Sequence, residues 1–190
     1  MCWEKFKNLF GKKPTTSGYV TTVSGTGFEN KGIVYELKFN QSKIVPLWLL
    51  IGLEELGQEE IPGSGSNSRI DEYLKTVGQP GDDSIPWCAA FVNWTLFKAG
   101  MSYPGKPDAR SLLGYGKKID KFRLGCIAVF ERGSEGWQGH TGYPLDISGG
   151  YVKLLGGNQM NRVTVEIYSL SKLLGFVWPT IDIYGNPYNF

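Results

Sequence analysis

The chain has 190 residues and a mass of 21.1 kDa. This length fits one domain with some residues to spare and leaves too few for a second full domain. Hydrophobic residues make up 41% and charged residues 20%, values that exclude disorder throughout the chain. The formal net charge is only +2, and no segment interleaves basic with aromatic residues, so the sequence predicts no nucleic-acid partner.

Cysteine usage and hydropathy exclude further classes. The three cysteines, Cys2, Cys88 and Cys126, are odd in number and lack CxxC spacing, so we expect free thiols and neither a metal site nor a cofactor. The chain has no apolar run of about 18 residues, and its first seven residues are too polar for a secretory signal. These features predict synthesis in the cytoplasm without Sec export.

The first 45 residues differ from the rest of the chain in charge and in the spacing of apolar residues. Four lysines against one glutamate make residues 1–13 basic, and large apolar residues recur there at helical spacing: Trp3, Phe6, Leu9 and Phe10. This pattern predicts a short amphipathic helix that lies on a membrane interface, docks on a partner, or packs on its own domain. Residues 15–43 favour one or two short strands or an extended arm. We therefore predict an N-terminal extension (1–45), one domain (46–180) and a C-terminal tail (181–190).

Three helices are predicted in the first half of the domain. Pro46 opens an apolar stretch that Gly57 ends. A second helix follows residues 66–68, shows an i, i+3, i+4, i+7 apolar pattern from Ile70, and ends near Gly78. The third runs from about Cys88 to Gly100. Because this third helix is apolar on nearly every side, we expect it to lie at the centre of the domain.

The second half has the texture of strands. Short segments rich in β-branched and aromatic residues are separated by glycine or polar turns, and a possible short helix at 109–113 precedes them. The predicted strands are residues 125–130, 140–143, 151–155, 163–168 and 174–178. N-terminal helices packed on a C-terminal antiparallel sheet form an α+β fold.

Cys88 is the candidate nucleophile. It begins the central helix, where the helix dipole, with an imidazole alongside, is expected to lower a thiol pKa. The backbone N–H groups of the first turn are unpaired there, so the Cys88 amide could stabilise an oxyanion. The structural alternative is a packed core cysteine.

His140 is the only histidine in the chain, so any Cys–His mechanism must use it. Glycines at 139 and 142 suggest space for a substrate backbone, and a strand would fix the direction of the ring. Asn158, at the end of the next strand, is the candidate that orients the imidazole, and its neighbour Gln159 is the alternative. Strand alternation allows only one of the two to point inward.

These residues carry a family resemblance. The chain resembles the CHAP and NlpC groups of papain-like peptidoglycan hydrolases, most of all a branch common in bacteriophages and prophages, over residues 46–179. Three motifs carry the likeness: Pro86-Trp87-Cys88-Ala89-Ala90-Phe91-Val92-Asn93-Trp94, Gly139-His140-Thr141-Gly142 and Leu155-Gly156-Gly157-Asn158-Gln159.

The resemblance implies a papain-like fold and hydrolysis of an amide bond in peptidoglycan. Cys88, His140 and Asn158 would be the triad, as in an endolysin or a virion-associated lysin that acts at the cell wall. Trp87 and Trp137 flank Cys88 and His140 in the sequence and could line a groove for substrate, with core packing as the alternative for Trp87; Gln159 is the third residue expected to contact substrate. Two departures are Thr141, where valine is more typical, and Pro144, which we expect to cut the strand short.

Two other functions remain open. A glycan-cleaving muramidase would need two carboxyl groups at a suitable separation, and the candidates are Glu54, Glu55, Glu59 and Glu60. A non-catalytic protein that binds the cell wall or forms part of a virion could also retain this fold.

Overall fold

A computed structural model describes residues 45–182 and 184–187. The helix expected in residues 1–13 and the strands expected in residues 15–43 lie outside the described residues. The compact unit that contains the candidate site begins at Pro46. The three-part domain division stays a prediction.

All three predicted helices are present. α1 spans Leu47–Glu54, α2 spans Ser68–Thr76 and α3 spans Cys88–Lys98. The Asn67 side chain caps α2 by accepting a hydrogen bond from the Arg69 amide, which satisfies a donor that the helix leaves unpaired. Gly78 and Gly100, just beyond the ends of α2 and α3, both have positive φ, the backbone conformation that glycine adopts at helix ends.

The second half forms one six-stranded sheet in the order β1-β6-β2-β3-β4-β5, and every neighbouring pair is antiparallel. A 3-10 helix, Ala109–Gly114, precedes the sheet, and a second, Leu170–Lys172, precedes β6. The strands are β1 (Lys117–Ile119), β2 (Ile127–Glu131), β3 (Gly139–Ser148), β4 (Tyr151–Gln159), β5 (Arg162–Ser169) and β6 (Leu173–Trp178). The α+β fold class and all five predicted strands are confirmed.

Two strand predictions differ from the structure. The short edge strand β1 was not predicted, because its first two residues, Lys117 and Lys118, are exposed lysines and lack a strand-like apolar pattern. Pro144 was expected to cut β3 short, which is wrong. β3 continues to Ser148 because Pro144, opposite Leu154, lies where the ladder shifts register, and a bulge accommodates a residue that cannot donate a backbone hydrogen bond.

The central position of α3 follows from its composition. Every residue from Cys88 to Leu96 is buried, and the helix packs against α1, α2, β3 and β4. The Thr95 hydroxyl lies 2.6 Å from that of Tyr143 on β3, which satisfies two buried hydroxyls at once. Tyr73 of α2 packs its ring against Trp87, Phe91 and Trp94. The start of α3 is thereby fixed between α2 and the sheet.

The end of β4 approaches α3 without a side chain between them. A Cβ placed on Gly157 would lie 2.5 Å from the Trp87 ring and 2.7 Å from Cβ of Phe91, closer than packed carbon atoms approach. Glycine is therefore required where β4 meets the first turn of α3. The residues that follow it are brought close to the start of α3.

The described residues contain no helix with both the length and the apolar character needed to cross a bilayer. The segment after β6 turns back on itself, because Ile181 pairs with Pro187, and it is also tied to the domain, because the Ser102 amide donates to the Ile181 carbonyl.

Replacing Gly157 with alanine tests the close approach of β4 to α3. The added methyl group must displace Trp87 or Phe91, and overpacking of this kind costs roughly 1–3 kcal/mol. We expect urea denaturation to show a loss of that size in the free energy of unfolding. Gly136→Ala is the matched control, because a Cβ at that position meets no atom within 4 Å. Equal stability of the two variants would contradict the packing described.

Candidate active site

Cys88 lies at the first position of α3, and its sulfur faces the sheet. The backbone amides of Cys88 and Ala89 in the first turn, and that of Thr141 on β3, lie near enough to the sulfur to favour its charged form. The preceding residue, Trp87, supplies no side-chain cap, so the first-turn amides are not taken by a capping group. The thiol thus lies between the start of the helix and the residue that follows His140.

Burial dominates the protonation of this thiol. The side chain is almost wholly enclosed, with 6% of its surface exposed, and this desolvation raises the Cys88 pKa. Arg132 and the three amides lower it by a smaller amount. The sequence reasoning expected a lowered pKa from the helix dipole and the imidazole, and that expectation is wrong for this structure because a buried thiolate loses its hydration.

His140 lies on β3, fully buried, and an amide side chain fixes its ring. The Gln159 side-chain oxygen is 3.1 Å from Nε2 of His140. The Gln159 side-chain nitrogen donates to the carbonyls of Leu154 and Thr164, at 3.3 and 2.6 Å. Because backbone carbonyls can only accept hydrogen bonds, they fix the orientation of the Gln159 side-chain amide. Its oxygen must therefore accept a hydrogen bond from the imidazole. Neutral His140 therefore carries its proton on Nε2, and Nδ1 has the free lone pair.

The guanidinium of Arg132 occupies the second ring nitrogen. Its Nη1 lies 3.5 Å from Nδ1 of His140, a long hydrogen bond. Tyr168 of β5 stacks on the imidazole, with ring centroids 5.1 Å apart and planes 9° from parallel. Arg132 acts electrostatically on Cys88, His140 and Tyr168, and Cys88 also acts on Tyr168. These four side chains therefore form one cluster.

Sequence reasoning missed Arg132 and Tyr168. The signal for Arg132 was the β2–β3 hairpin: Phe130 pairs with His140, so a cation two residues further along lies beside the histidine. Nothing in the spacing of Tyr168 indicated a stacking partner, because the contact depends on the pairing of β5 with β4.

The imidazole is held neutral. Burial lowers the His140 pKa most, the hydrogen bond that Gln159 accepts from Nε2–H raises it, and the charge of Arg132 lowers it again, with a net value of about 4. Because a buried cation beside a guanidinium is disfavoured, thiol and imidazole are both uncharged at neutral pH.

Asn158 does not contact the imidazole. Its side-chain nitrogen donates to Glu60 at 2.8 Å. Asn158 was the expected orienting residue, so this is a correction, and the cause is a bulge between Gly156 and Gln159, where Asn158 adopts a left-handed φ of 55°. The extra residue in β4 changes the alternation of faces. Gln159, the alternative, takes the position beside the ring.

Two of the three residues expected to contact substrate are enclosed by protein. Trp87 has no exposed surface and donates to Glu60 at 2.9 Å, and Gln159 is 3% exposed. Neither reaches a ligand in this structure, because packing around Tyr73 and Gly157 covers Trp87. Trp137 is 70% exposed, and its contact with substrate stays a prediction.

The glycines beside His140 serve the protein rather than a ligand. A Cβ on Gly142 would lie 2.3 Å from the Leu155 carbonyl oxygen, and one on Gly139 would lie 3.2 Å from the Phe130 carbonyl oxygen. The space expected for a substrate backbone is therefore filled by β4 and β2. Thr141, the departure from valine, donates its hydroxyl to the Ala128 carbonyl at 3.0 Å.

The glutamates considered for glycan cleavage have structural contacts. Glu55 is buried and accepts from the Tyr73 hydroxyl at 2.5 Å, Glu59 lies 3.8 Å from Arg162, and Glu60 joins Trp87 to Asn158. Glu54 also has a partner. Within residues 45–182 and 184–187, no group of three or more histidine, cysteine or acidic side chains is arranged to hold a metal.

No family model matches the chain, and no curated protein sequence matches it. Among the solved structures it resembles is a protein from Staphylococcus aureus subsp. aureus Mu50 described as similar to a lipoprotein of the NLP/P60 family, with 14% identity and a TM-score of 0.40. The match covers 68% of this chain and 39% of that one, so the chain spans well under half of that protein's length.

The protonation of His140 predicts a pH dependence of stability. The pKa is about 4 in the folded protein and 6.5 for the free side chain, so the unfolded state binds more protons between these values. The neutral His140 side chain makes its full contribution to the free energy of unfolding above pH 6.5. This contribution, about 3 kcal/mol, is lost as the pH falls towards 4. We expect urea unfolding to show this loss in the wild type relative to His140→Gln.

Nuclear magnetic resonance can assign the titration directly, because the chain has one histidine. The imidazole signals should titrate near pH 4. A midpoint near 6.5 would contradict the buried, neutral ring.

Proposed function

We propose that the chain is a papain-like cysteine hydrolase that cleaves an amide bond in the peptide part of bacterial peptidoglycan. One observation carries the chemistry: Arg132 interacts both with a thiol at the start of the central helix and with an imidazole whose tautomer a buried amide fixes. The central helix against an antiparallel sheet supports the papain-like arrangement. The proposed triad is Cys88, His140 and Gln159, with Gln159 in place of Asn158.

The substrate comes from the sequence motifs. The segments around Cys88 and His140 resemble those of CHAP and NlpC hydrolases, and the phage-like branch suggests an endolysin or a virion-associated lysin that acts at the cell wall. Residues 1–13 would supply contact with a virion or membrane.

The reaction follows from the available lone pair. Nδ1 of His140 accepts the Cys88 proton, and the thiolate attacks the amide carbonyl to form a carbon–sulfur bond. The imidazolium returns that proton to the leaving amine as the carbon–nitrogen bond breaks. Nδ1 then takes a proton from water, whose oxygen displaces the sulfur, and the thiol is restored. The Cys88 amide, at the first turn, would donate to the oxyanion in both steps.

Gln159 has a positioning role in this scheme. Its side-chain oxygen accepts a hydrogen bond from Nε2–H throughout the cycle, so the ring presents Nδ1 to the sulfur in each step. The amide is neutral and adds no charge to the site. Tyr168 covers the ring face and limits its tilt.

Muropeptide analysis tests the reaction class. Mass spectrometry of purified peptidoglycan digested by the wild type should show new amine and carboxyl ends at one amide bond, and Cys88→Ala should show none. Cys126→Ala is the matched control, since Cys126 is a buried free thiol outside the cluster and should leave the products unchanged. New reducing sugar ends would instead mean glycan cleavage, and full function in Cys88→Ala would mean a non-catalytic role.

A second experiment separates Gln159 from Asn158. Gln159→Leu removes the acceptor from Nε2, so we expect the rate to fall by at least about tenfold and 15N shifts of the imidazole to show mixed tautomers. Asn158→Gly removes the side-chain amide, and glycine readily adopts the left-handed backbone conformation of this position. This variant should retain most of the activity and the single tautomer. The reverse ranking would return Asn158 to the triad.

A further inference from the structure

Arg132 is the one feature of the cluster that the proposed reaction does not use. It follows β2 directly, its side chain is exposed, and its guanidinium reaches the buried imidazole. None of the ion pairs among the described residues involves Arg132. This guanidinium, with its five donors, thus lies beside the buried imidazole and has no carboxylate partner within residues 45–182 and 184–187.

The location of this guanidinium conflicts with catalysis in the resting protein. Gln159 accepts from Nε2, so only Nδ1 can receive the Cys88 proton. Arg132 donates to that same nitrogen. Transfer of the thiol proton therefore requires Arg132 to leave Nδ1.

The charge of Arg132 does not compensate for this conflict. It favours the Cys88 thiolate and disfavours the His140 imidazolium, so its two electrostatic effects on the ion pair oppose each other. Arg132 also occupies the lone pair of His140 Nδ1, and no favourable effect offsets this block of proton transfer. The contact is long at 3.5 Å, and a carboxylate offers a guanidinium two short charge-assisted hydrogen bonds in its place.

We propose that Arg132 binds a carboxylate of the substrate, and that this binding draws the guanidinium from His140 Nδ1 so that the imidazole can accept the Cys88 proton. The inference rests on the proposed function and narrows its substrate class to amides that have a free carboxylate near the scissile bond. Stem peptides of peptidoglycan carry such groups. The proton balance is unchanged: the S–H bond breaks, the Nδ1–H bond forms, and the guanidinium keeps its own protons.

Paired substrates test the proposal. Once muropeptide analysis has located the cleaved bond, two synthetic stem peptides are made that differ only in a free carboxylate or a carboxamide on the residue next to it. Competition of the two in one reaction gives the ratio of their kcat/KM values. We expect the wild type to prefer the carboxylate by about tenfold or more, as a hydrogen-bonded charge pair allows. Equal rates, or preference for the carboxamide, overturn the proposal.

Variants assign the preference to Arg132. Arg132→Gln should bring the ratio to within about twofold of one, because the preference for the carboxylate depends on the guanidinium. Arg132→Lys keeps the charge, loses the two-pronged geometry, and should give an intermediate ratio. Lys153→Gln removes one exposed positive charge from β4 and should keep the wild-type ratio. An unchanged ratio in Arg132→Gln overturns the assignment.

The two proposals fail in different ways. If the wild type cleaves peptidoglycan but does not discriminate between the paired peptides, the carboxylate role fails and the hydrolase stands. If wild type and Cys88→Ala both leave peptidoglycan intact, the hydrolase fails and the carboxylate role falls with it.

Discussion

The hydrogen bond between Gln159 and His140 determines what the rest of the site can do. Its direction is set by two backbone carbonyls that accept hydrogen bonds from the side-chain nitrogen of Gln159. The neutral imidazole therefore carries its proton on Nε2. The other ring nitrogen, Nδ1, keeps its lone pair and lies 3.5 Å from Arg132, and it is the atom that the proposed reaction would use to accept the Cys88 proton. A single buried amide thereby specifies a tautomer without introducing a charge.

Burial acts against the ion pair that a cysteine hydrolase needs. His140 has no exposed surface and Cys88 almost none, so desolvation moves both pKa values away from the charged forms. The amides at the start of α3 and the guanidinium of Arg132 offset only part of this cost for the thiolate. A resting site of this kind is uncharged, and in the proposed hydrolase its activation would depend on groups that a substrate brings.

The fold provides this arrangement through two close approaches. Gly157 lets β4 touch the residue before Cys88, and Gly142 lets β3 lie against the Leu155 carbonyl. Between them, the start of a helix and the ends of two strands converge at one point. Glu60 reinforces it by accepting from both Trp87 and Asn158, which joins the loop after α1 to both partners.

The sequence by itself determined the helices and strands and identified Cys88 and His140 as the candidate pair. Apolar periodicity placed three helices and five strands, a helix apolar on all sides had to be central, and a single histidine left no choice of base for Cys88. Only the tertiary structure decided which amide meets that histidine, because one extra residue in β4 changes the facing of Asn158 and Gln159. It also decided that burial outweighs the helix dipole, and it brought Arg132 and Tyr168 to the ring through strand pairing. The direction in which a strand residue faces, the loss of hydration at a buried group and the pairing of strands all depend on contacts between distant segments. Local residue patterns do not encode such contacts.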